Sequence, residues 1–439
     1  MKIKYISLVI IVLTLSSTAL AQQKITLKEL VKLAIEQNYQ IKILKNEELK
    51  LQNSNLLGNS GFYPVLTLDG SRSHTNSSTK QTLYNGEVRE SNAAISDLTN
   101  ASLNLNWDFF DGFKMFASKD KLDLLEKLGK LNTRYYIEQT VLDIASAYFQ
   151  LIYEINLQKL LEQTIINSRI TRDLIQTKVK IGNSSNFELQ KADYDINLDS
   201  IAILNEKQKI QNLKIEINKI LNRDPYFNFE PLDLLEINDS IVLDRIKQNC
   251  MKNNLSLNME QIKKMSSEKD FEIQKSNLYP TFTAYSSYSY QNQDNTVSIY
   301  RSNNSQGLSY GLRFNFNLFN GTRDVIAIQN TKIDIENSEF IIKEKENELI
   351  SQLYGIYGNY SNNIDILILL KQNSSIAFDN LELAQKQFEL GMMTLLDLRD
   401  IQLNYLQSNI SLLQTEYLTK LNEIELYRLE GTLLIKILE

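Results

Sequence analysis

The side chains that most often perform chemistry are scarce in this sequence. It has one histidine, His74, in a polar segment, and one cysteine, Cys250, which has no partner for an internal disulfide. Neither a glycine-rich phosphate loop nor a metal-ligand spacing of His and Cys occurs. Neighbouring carboxylates are common, but a chain that is 23% charged contains them by chance. The sequence therefore predicts no catalytic residues, no cofactor and no metal, and it predicts that Cys250 is a buried, inert thiol.

The start of the chain has the composition of a secretory signal peptide. Lys2 and Lys4 precede an apolar run, and Ala19 and Ala21 fit a cleavage site, so residues 1–21 are predicted to be removed on export. No cysteine follows these small residues, so lipid attachment at a new N-terminal cysteine is not expected. Later in the chain there is no apolar stretch of 18 residues, which leaves β-strands as the way to enter a membrane. The formal net charge of −6 argues against nucleic acid as a partner.

Two long segments of helical periodicity must position whatever function the chain has. One runs from Gly112 to Gly182 and the other from Gly321 to Gly391, so that both span 70 residues and the repeat offset is 209. At 1.5 Å per residue each would form a rod of roughly 105 Å. All four prolines fall outside these segments. Apolar residues in the first rod recur with the alternating steps of 4 and 3 of a heptad, which predicts that they pack in the core of a helix bundle. These residues are Ile137, Val141, Ile144, Tyr148, Leu151 and Ile155.

A pair of alternating segments precedes each rod. In the first repeat, Leu66 and Leu68 alternate with polar residues, and so do the residues from Leu103 to Phe109. The second repeat has the same pattern after Pro280, which matches Pro64 of the first. Strands of about ten residues with alternating polarity are typical of an outer-membrane β-barrel, although a soluble hairpin with one wet face has the same pattern. Four strands leave two open sheet edges, so a barrel would require several chains.

These patterns predict two tandem repeats, each a β-hairpin followed by long antiparallel coiled-coil helices. The first repeat, 22–222, is predicted to contain helix 25–57, strands 65–74 and 101–110, long helix 114–181 and return helix 185–221. After a linker, 223–239, the second repeat, 240–439, is predicted to contain helices over 240–277, one of them from about Leu255 to Asn277, then strands 281–290 and 308–319, long helix 322–390 and return helix 394–436. The polar segments between the strands are predicted to be loops, and Thr26 with Glu29 has capping-box spacing.

With these features the sequence resembles the TolC-like outer-membrane efflux family over essentially its whole mature length. The resemblance rests on FYP and LYP before the strands, WDFFDG and FNLFNG at the strand-to-rod turns, and KIGNSSNFELQKA and FELGMMTLLDLRD at the far tips. It implies a homotrimer with a twelve-stranded barrel in the Gram-negative outer membrane, continuing as an α-helical tunnel through the periplasm. It also implies docking onto a periplasmic adaptor and an inner-membrane transporter, for efflux or type I secretion.

The resemblance also implies a gate at the periplasmic tip. Asp397 and Asp400 match the family's tip aspartates, and Glu188 is a candidate link between neighbouring helix pairs. The other interpretation of the two aspartates is that they cap or solvate the start of a helix. The tyrosine and arginine that help to lock the closed state in well-known members fall on Phe388 and Met393 here. The tip is therefore predicted to be held shut mainly by packing, with Arg399 pairing locally.

Two further groups of residues are candidate surfaces. Gly182 and Gly391 are predicted to supply the positive φ of a helix-to-helix turn, and the exposed tip turns are where an adaptor would dock. The residues of these turns are Gly182, Asn183, Ser184, Gly391, Met392, Met393 and Thr394. Aromatic residues near the strand ends could form a membrane-interface girdle or could simply pack between strands. These are Trp107, Phe109, Tyr288, Tyr290 and Tyr310.

A secreted structural coiled coil or surface stalk without a pore is the alternative function. It would account for the rods and their heptads but not for two alternating hairpins at equal offsets. The exported substrate, whether drug, metal or protein, is not encoded in any recognisable pattern. The lack of Met or His clusters argues weakly against a tunnel dedicated to copper.

Overall fold

The computed structural model describes residues 23–438, so the predicted signal peptide lies outside the described residues. This part of the chain is mainly helical, with a four-stranded antiparallel sheet and a short parallel strand pair. The elements of the first repeat are β1 (Gln23–Ile25), α1 (Leu27–Gln37), α2 (Tyr39–Ser54), β2 (Val65–Thr82), β3 (Val88–Phe110), α3 (Lys114–Lys180) and α4 (Asn186–Ile220). Those that follow are β4 (Phe229–Pro231), α5 (Leu243–Asn253), α6 (Leu255–Ser276), β5 (Thr281–Asn295), β6 (Ser302–Asn315), α7 (Arg323–Glu389), α8 (Leu395–Glu430) and α9 (Leu433–Leu438).

The chain divides into two compact units, and each unit draws on both sequence repeats. Within the described residues, the first unit comprises 23–45, Asn132–Asn258 and 344–438. The second comprises Asn46–Leu131 and Met259–Lys343 and contains the four-stranded sheet. Sequence repeats and compact units are therefore different divisions of this molecule.

Helices α3 and α7 each run for 67 residues without a break, which corresponds to roughly 100 Å. Each ends in a glycine of positive φ, 80° at Gly182 and 79° at Gly391, as the sequence predicts. At both ends the glycine N–H and the next N–H bond back to carbonyls of the last turn, which satisfies groups that would otherwise be unpaired. None of the helices over residues 23–438 is both long and apolar enough to cross a membrane.

The helical segments that precede the hairpins are broken, which corrects the prediction that 25–57 is continuous; in the second repeat the break falls just before Leu255, where a helix is predicted to begin. Asn38 separates α1 from α2, and Asn254 separates α5 from α6, each in an extended conformation. The Oδ1 atom of Asn38 accepts hydrogen bonds from the backbone N–H groups of Gln40 and Ile41. Asn254 does the same two and three residues onward. A buried asparagine side chain therefore ends one helix and starts the next at both positions.

Smaller corrections apply at the ends of these segments. Residues 23–25 form strand β1 instead of opening a helix, and they pair in parallel with β4 inside the predicted linker. The predicted helix 394–436 ends at Glu430, because Gly431 takes a φ of 74°. The capping box of Thr26 and Glu29 is confirmed, with the Glu29 carboxylate accepting from the Thr26 backbone N–H at 2.9 Å.

The four-stranded sheet has the order β2-β3-β5-β6, and every neighbouring pair is antiparallel. Its strands are longer than predicted: the polar segments 75–99 and 291–307 are largely strand and not loop. Both faces are polar there, so side-chain alternation gives no signal, although the backbone ladder continues. At its other end β6 stops at Asn315, short of the predicted residue 319.

The core of the first unit includes a fully buried tyrosine. The Tyr148 hydroxyl donates to the Asp233 carboxylate at 2.8 Å and accepts from the backbone N–H groups of Leu232 and Asp233. It also lies 3.0 Å from the Ile25 carbonyl oxygen. These contacts fasten the segment after β4, and strand β1, to helix α3. Cys250 on α5 is likewise fully buried, and burial raises the pKa of its thiol to about 11.

The two strand-to-helix turns offer a matched test of close packing. Gly112 and Gly321 occupy equivalent turns and both have a φ of 71°. A Cβ at Gly112 would overlap the Ser276 carbonyl oxygen and lie 2.9 Å from the Tyr279 Cβ, whereas a Cβ at Gly321 would meet nothing within 4 Å. Each Gly→Ala change carries a backbone strain of about 1–2 kcal/mol. We expect Gly112→Ala to lower the melting temperature and the folded yield further than Gly321→Ala. Equal losses would show that the Gly112 contact is not tight.

Candidate functional site

The tip turns join α3 to α4 and α7 to α8, and their residues are mostly exposed. Ser185 caps α4 by accepting from the Glu188 backbone N–H, and Thr394 caps α8 by accepting from the Asp397 backbone N–H. The carboxylates also take part: Ser184 donates to Glu188, and the Thr394 hydroxyl donates to Asp397 at 2.6 Å. The Asp397 carboxylate thus supports the Thr394 cap, and Asp397 remains exposed, as does Asp400. Within one chain these groups do not form a ring.

Apolar packing joins the tip ends of the two repeats. The buried cluster contains Ile175 and Ala192 from the first repeat, and Phe388 and Leu398 from the second, with Met393 at its margin. The Lys178 ammonium donates to the Phe388 carbonyl oxygen at 2.7 Å and lies 4.4 Å from the centroid of the Phe388 ring. Phe388 thus contacts the other repeat through its ring and its backbone, without a side-chain hydroxyl.

A buried ion pair adds a second link between the repeats. The Arg399 guanidinium on α8 donates to both carboxylate oxygens of Asp199 on α4, at 2.7 and 3.2 Å. Ser168 on α3 bonds to the same Asp199 carboxylate at 2.7 Å, and Asp195 lies 3.9 Å from Arg399. Burial raises the pKa of Asp195, and the charge of Arg399 opposes that effect. The predicted local pairing of Arg399 is wrong, because its partner is 200 residues away and no short-range pattern reveals it.

The register of the sheet separates an apolar face from a polar one. Partners across the four strands fall into rows, such as Leu68, Leu103, Tyr288 and Leu308. The face that carries this row is apolar in every row from Phe282 to Tyr290, except at Gly70, Ser286 and Gln306. We call this side of the sheet the apolar face. Its members are Leu66, Leu68, Ala101, Leu103, Leu105, Trp107, Phe110, Phe282, Ala284, Tyr288, Tyr290, Leu308, Tyr310, Leu312 and Phe314. The opposite face is mainly Ser, Thr, Asn and Asp.

The predicted girdle residues lie at different places on this face. Trp107 is near its helix-proximal end, where the indole Nε1 donates to the Phe62 carbonyl oxygen at 3.0 Å. Tyr290 is in the last apolar row, and Tyr288 is one row before it. Phe109 is the extra residue at a register shift in β3. Tyr310 shares a row with Leu66 and Leu105 in the middle of the face, a position that does not fit a girdle at the edge.

Comparison with known proteins accounts for this combination of long helices and a two-faced sheet. The family described as outer membrane efflux protein matches residues 30–223 and 247–432, one segment in each repeat. The solved structure of CusC has a TM-score of 0.77 at 15% identity and covers 93% of each chain. The structure of VceC of Vibrio cholerae has a TM-score of 0.77 at 14% identity, and the match covers 92% of this chain and 96% of VceC. The structure of CmeC of Campylobacter jejuni has a TM-score of 0.76 at 13% identity, and the match covers 93% of this chain and 86% of CmeC.

No curated protein sequence matched in a separate comparison. The fold is that of an outer-membrane channel, a class of transport proteins and not of enzymes. The chain belongs to the outer membrane efflux protein family, as the sequence motifs predict. It is therefore an efflux protein of the outer membrane.

The buried ion pair can be tested against a more exposed pair that shares helix α4. Arg399 and Asp199, which link α8 to α4, are 11% and 9% exposed, whereas Arg172 and Asp193, which link α3 to α4, are 29% and 50% exposed. We expect Arg399→Leu to cost about 3–5 kcal/mol, because it leaves a buried carboxylate without its cation. Arg172→Leu should cost about 0–1 kcal/mol. Chemical denaturation of the purified protein measures both.

The double variant Arg399→Leu with Asp199→Leu is the internal control for this test. It removes both charges of the pair and should recover much of the lost stability, since only Asp195, 3.9 Å from Arg399 and more exposed than Asp199, then loses a neighbouring cation. A double variant no more stable than Arg399→Leu would show that the arginine acts through its packing and not through the ion pair.

Proposed function

We propose that three copies of this chain form one export channel. In a single chain the outermost strands of the sheet are β2 and β6, and each has one edge without a strand partner in the described residues. Unpaired backbone groups are not tolerated in the hydrocarbon layer, so a sheet placed there has to close on itself. Three four-stranded sheets give the twelve strands that the family resemblance implies.

The apolar face supports a membrane location for this sheet and is the observation on which the proposal rests. From Phe282 to Tyr290 the face extends over nine residues, whose eight steps cover roughly 27 Å along the strand. That length is comparable with the outward apolar band of about 25 Å in outer-membrane barrels. The apolar face is then the lipid-facing side, and the polar face lines the pore. The polar ends of β2 and β3 extend beyond the band as an external hairpin.

The rods supply the periplasmic part of this channel. Helices α3 and α7 are each long enough to traverse a layer of roughly 100 Å. The exposed tip turns present Asn183, Ser184, Met392 and Thr394 to a partner, and we assign them to contact with a periplasmic adaptor. An inner-membrane transporter completes the assembly and determines which substrate is exported.

We assign the selectivity of the tip to Asp397 and Asp400, with Glu188 on the neighbouring helix start. Both aspartates are exposed at the start of α8, so trimerisation would gather six carboxylates around one axis. Such a ring would favour the passage of cations. The packing of Phe388 and the Arg399–Asp199 pair would hold the helix ends in place around it.

Adjacent residues on β6 test the membrane assignment. Leu308 lies on the apolar face and Ser309 on the polar face, one residue apart on the same strand. We expect Leu308→Arg to cost about 2–4 kcal/mol in the bilayer and to prevent assembly, because it places a cation in lipid. Ser309→Arg should assemble normally, with a changed conductance. The measurements are detergent-only extraction from membranes and the mass of the complex, which should equal three chains.

Two outcomes of that experiment would overturn the proposed channel. One is a wild-type protein that is released from membranes by salt or carbonate and has the mass of a single chain. The other is equal tolerance of arginine at the two positions, since a sheet outside the membrane has no lipid-facing side.

The acidic tip can be tested without disturbing its helix cap. Replacing both aspartates, Asp397→Asn with Asp400→Asn, removes the charge but keeps an oxygen that can accept from Thr394. We expect the double variant to keep its thermal stability and to lose most of its preference for cations in planar bilayers. Asp173→Asn with Asp379→Asn changes the same charge at other exposed positions and is the control. If both double variants conduct cations alike, Asp397 and Asp400 do not form the selective ring.

A further inference from the structure

Two buried carboxyl groups lie between helices α3 and α4. Glu154 on α3 is 6% exposed and Glu206 on α4 is 3% exposed. Helical spacing places each beside an apolar layer, since Leu157 follows Glu154 by three residues and Ile203 precedes Glu206 by three. A pair of carboxylates in the interior of a helical hairpin is costly unless its charge is neutralised.

In the described part of the chain, each of the two buried carboxyl groups has an oxygen that lacks a hydrogen-bond donor. The Glu154 Oε2 and Glu206 Oε1 atoms are buried and have no hydrogen-bond partner among the described residues. The other Glu206 oxygen accepts from the Lys209 ammonium at 3.1 Å, and Lys209 lies 3.9 Å from Glu154 Oε2. Ionised carboxylates can only accept, so they cannot satisfy each other. A single proton supplies the missing donor, and with Lys209 it makes the group of three electrically neutral.

We propose that Glu154 and Glu206 form a proton-binding site that makes the packing of α3 against α4 depend on pH. The two carboxyls share one proton in the acidic to neutral range, and the shared hydrogen bond joins the helices. Loss of the proton leaves two like charges in a buried interface with one ammonium between them. The contact between the helices is then weakened.

The groups that surround the pair support this assignment. Tyr153 on α3 stacks on Tyr417 of α8 with ring centroids 5.5 Å apart, and the Lys209 ammonium on α4 lies 3.1 Å from Glu206 and 3.9 Å from Glu154. Burial raises the pKa of both tyrosines, so they stay neutral. The carboxylates raise the pKa of Lys209 against the effect of its burial, so it stays charged. Burial, together with the Glu206 carboxyl, raises the pKa of Glu154 to about 7.

The sign of the pH dependence follows from this raised pKa. A group whose pKa is higher in the folded chain than in the unfolded chain binds more protons when folded. Its contribution to stability is fully present below the unfolded value of 4.5 and is lost as the pH rises through about 7. The wild-type channel should therefore become less stable between mildly acidic and mildly alkaline conditions, as far as this pair is concerned.

The test compares Glu154→Gln with the wild type as full-length protein in detergent. The amide is a donor at every pH, so the variant should keep its melting temperature where the wild type loses several degrees, between about pH 5 and about pH 8.5. Glu216→Gln changes an exposed carboxylate on α4 and should follow the wild type. Infrared spectroscopy adds a direct measurement: a protonated carboxyl band at neutral pH that Glu154→Gln removes and Glu216→Gln retains.

Parallel melting curves for wild type and Glu154→Gln, with no such band in the wild type, would overturn the proposal, since both carboxyls would then be ionised. If Glu154→Gln fails to fold, Glu206→Gln offers the same comparison from the other helix. Infrared titration of the wild type against Glu206→Gln then decides whether the carboxyl that loses its proton near neutral pH belongs to this pair, because Glu138 is also buried and burial also raises its pKa. Neither measurement depends on the channel proposal, because both report on contacts within one chain.

Discussion

The unbroken hydrogen-bonded backbone of α3 and α7 is the constraint on which the rest of the structure depends. A helix of 67 residues allows no proline in its interior, and the four prolines of the chain lie outside both helices. Its ends need defined stops, which the positive-φ glycines at 182 and 391 provide. The necessary breaks fall instead in the shorter helices, where Asn38 and Asn254 supply the capping oxygens.

A long stripe of apolar residues determines that two helices pack together. It does not determine their axial alignment well, because similar apolar contacts form at several alignments. Buried polar contacts resolve this ambiguity, because each is satisfied at only one axial position. In this chain the Tyr148 hydroxyl, the Glu154–Glu206 pair and the Arg399–Asp199 ion pair lie along the first unit at successive positions of α3 and α4. We interpret them as determinants of helix register whose value lies in specificity more than in net stability.

The sequence predicts the elements that have a regular apolar period. It does not predict very short elements, strands that are polar on both faces, or contacts between residues far apart in the chain. The bounds of the long helices differ from the prediction by one residue, because their apolar spacing and terminal glycines are explicit. The outer parts of β2 and β3 were unpredictable from alternation, since Ser, Thr and Asn occupy both faces there. The β1–β4 pair is three residues long and joins segments about 200 residues apart. At the tip, capping by Thr394 and Ser185 follows from spacing, whereas the bond between Arg399 and Asp199 requires the tertiary fold.

The burial of Cys250 has a practical consequence for the study of this protein in motion. Its sulfur is inaccessible, and its proton is held too tightly for the thiolate to form at the pH of ordinary labelling reactions. We therefore expect the folded wild-type chain not to react with maleimide reagents. Spin labels or fluorophores can be attached through a cysteine introduced at either helical turn, and movements of that turn can be followed without first replacing a native residue.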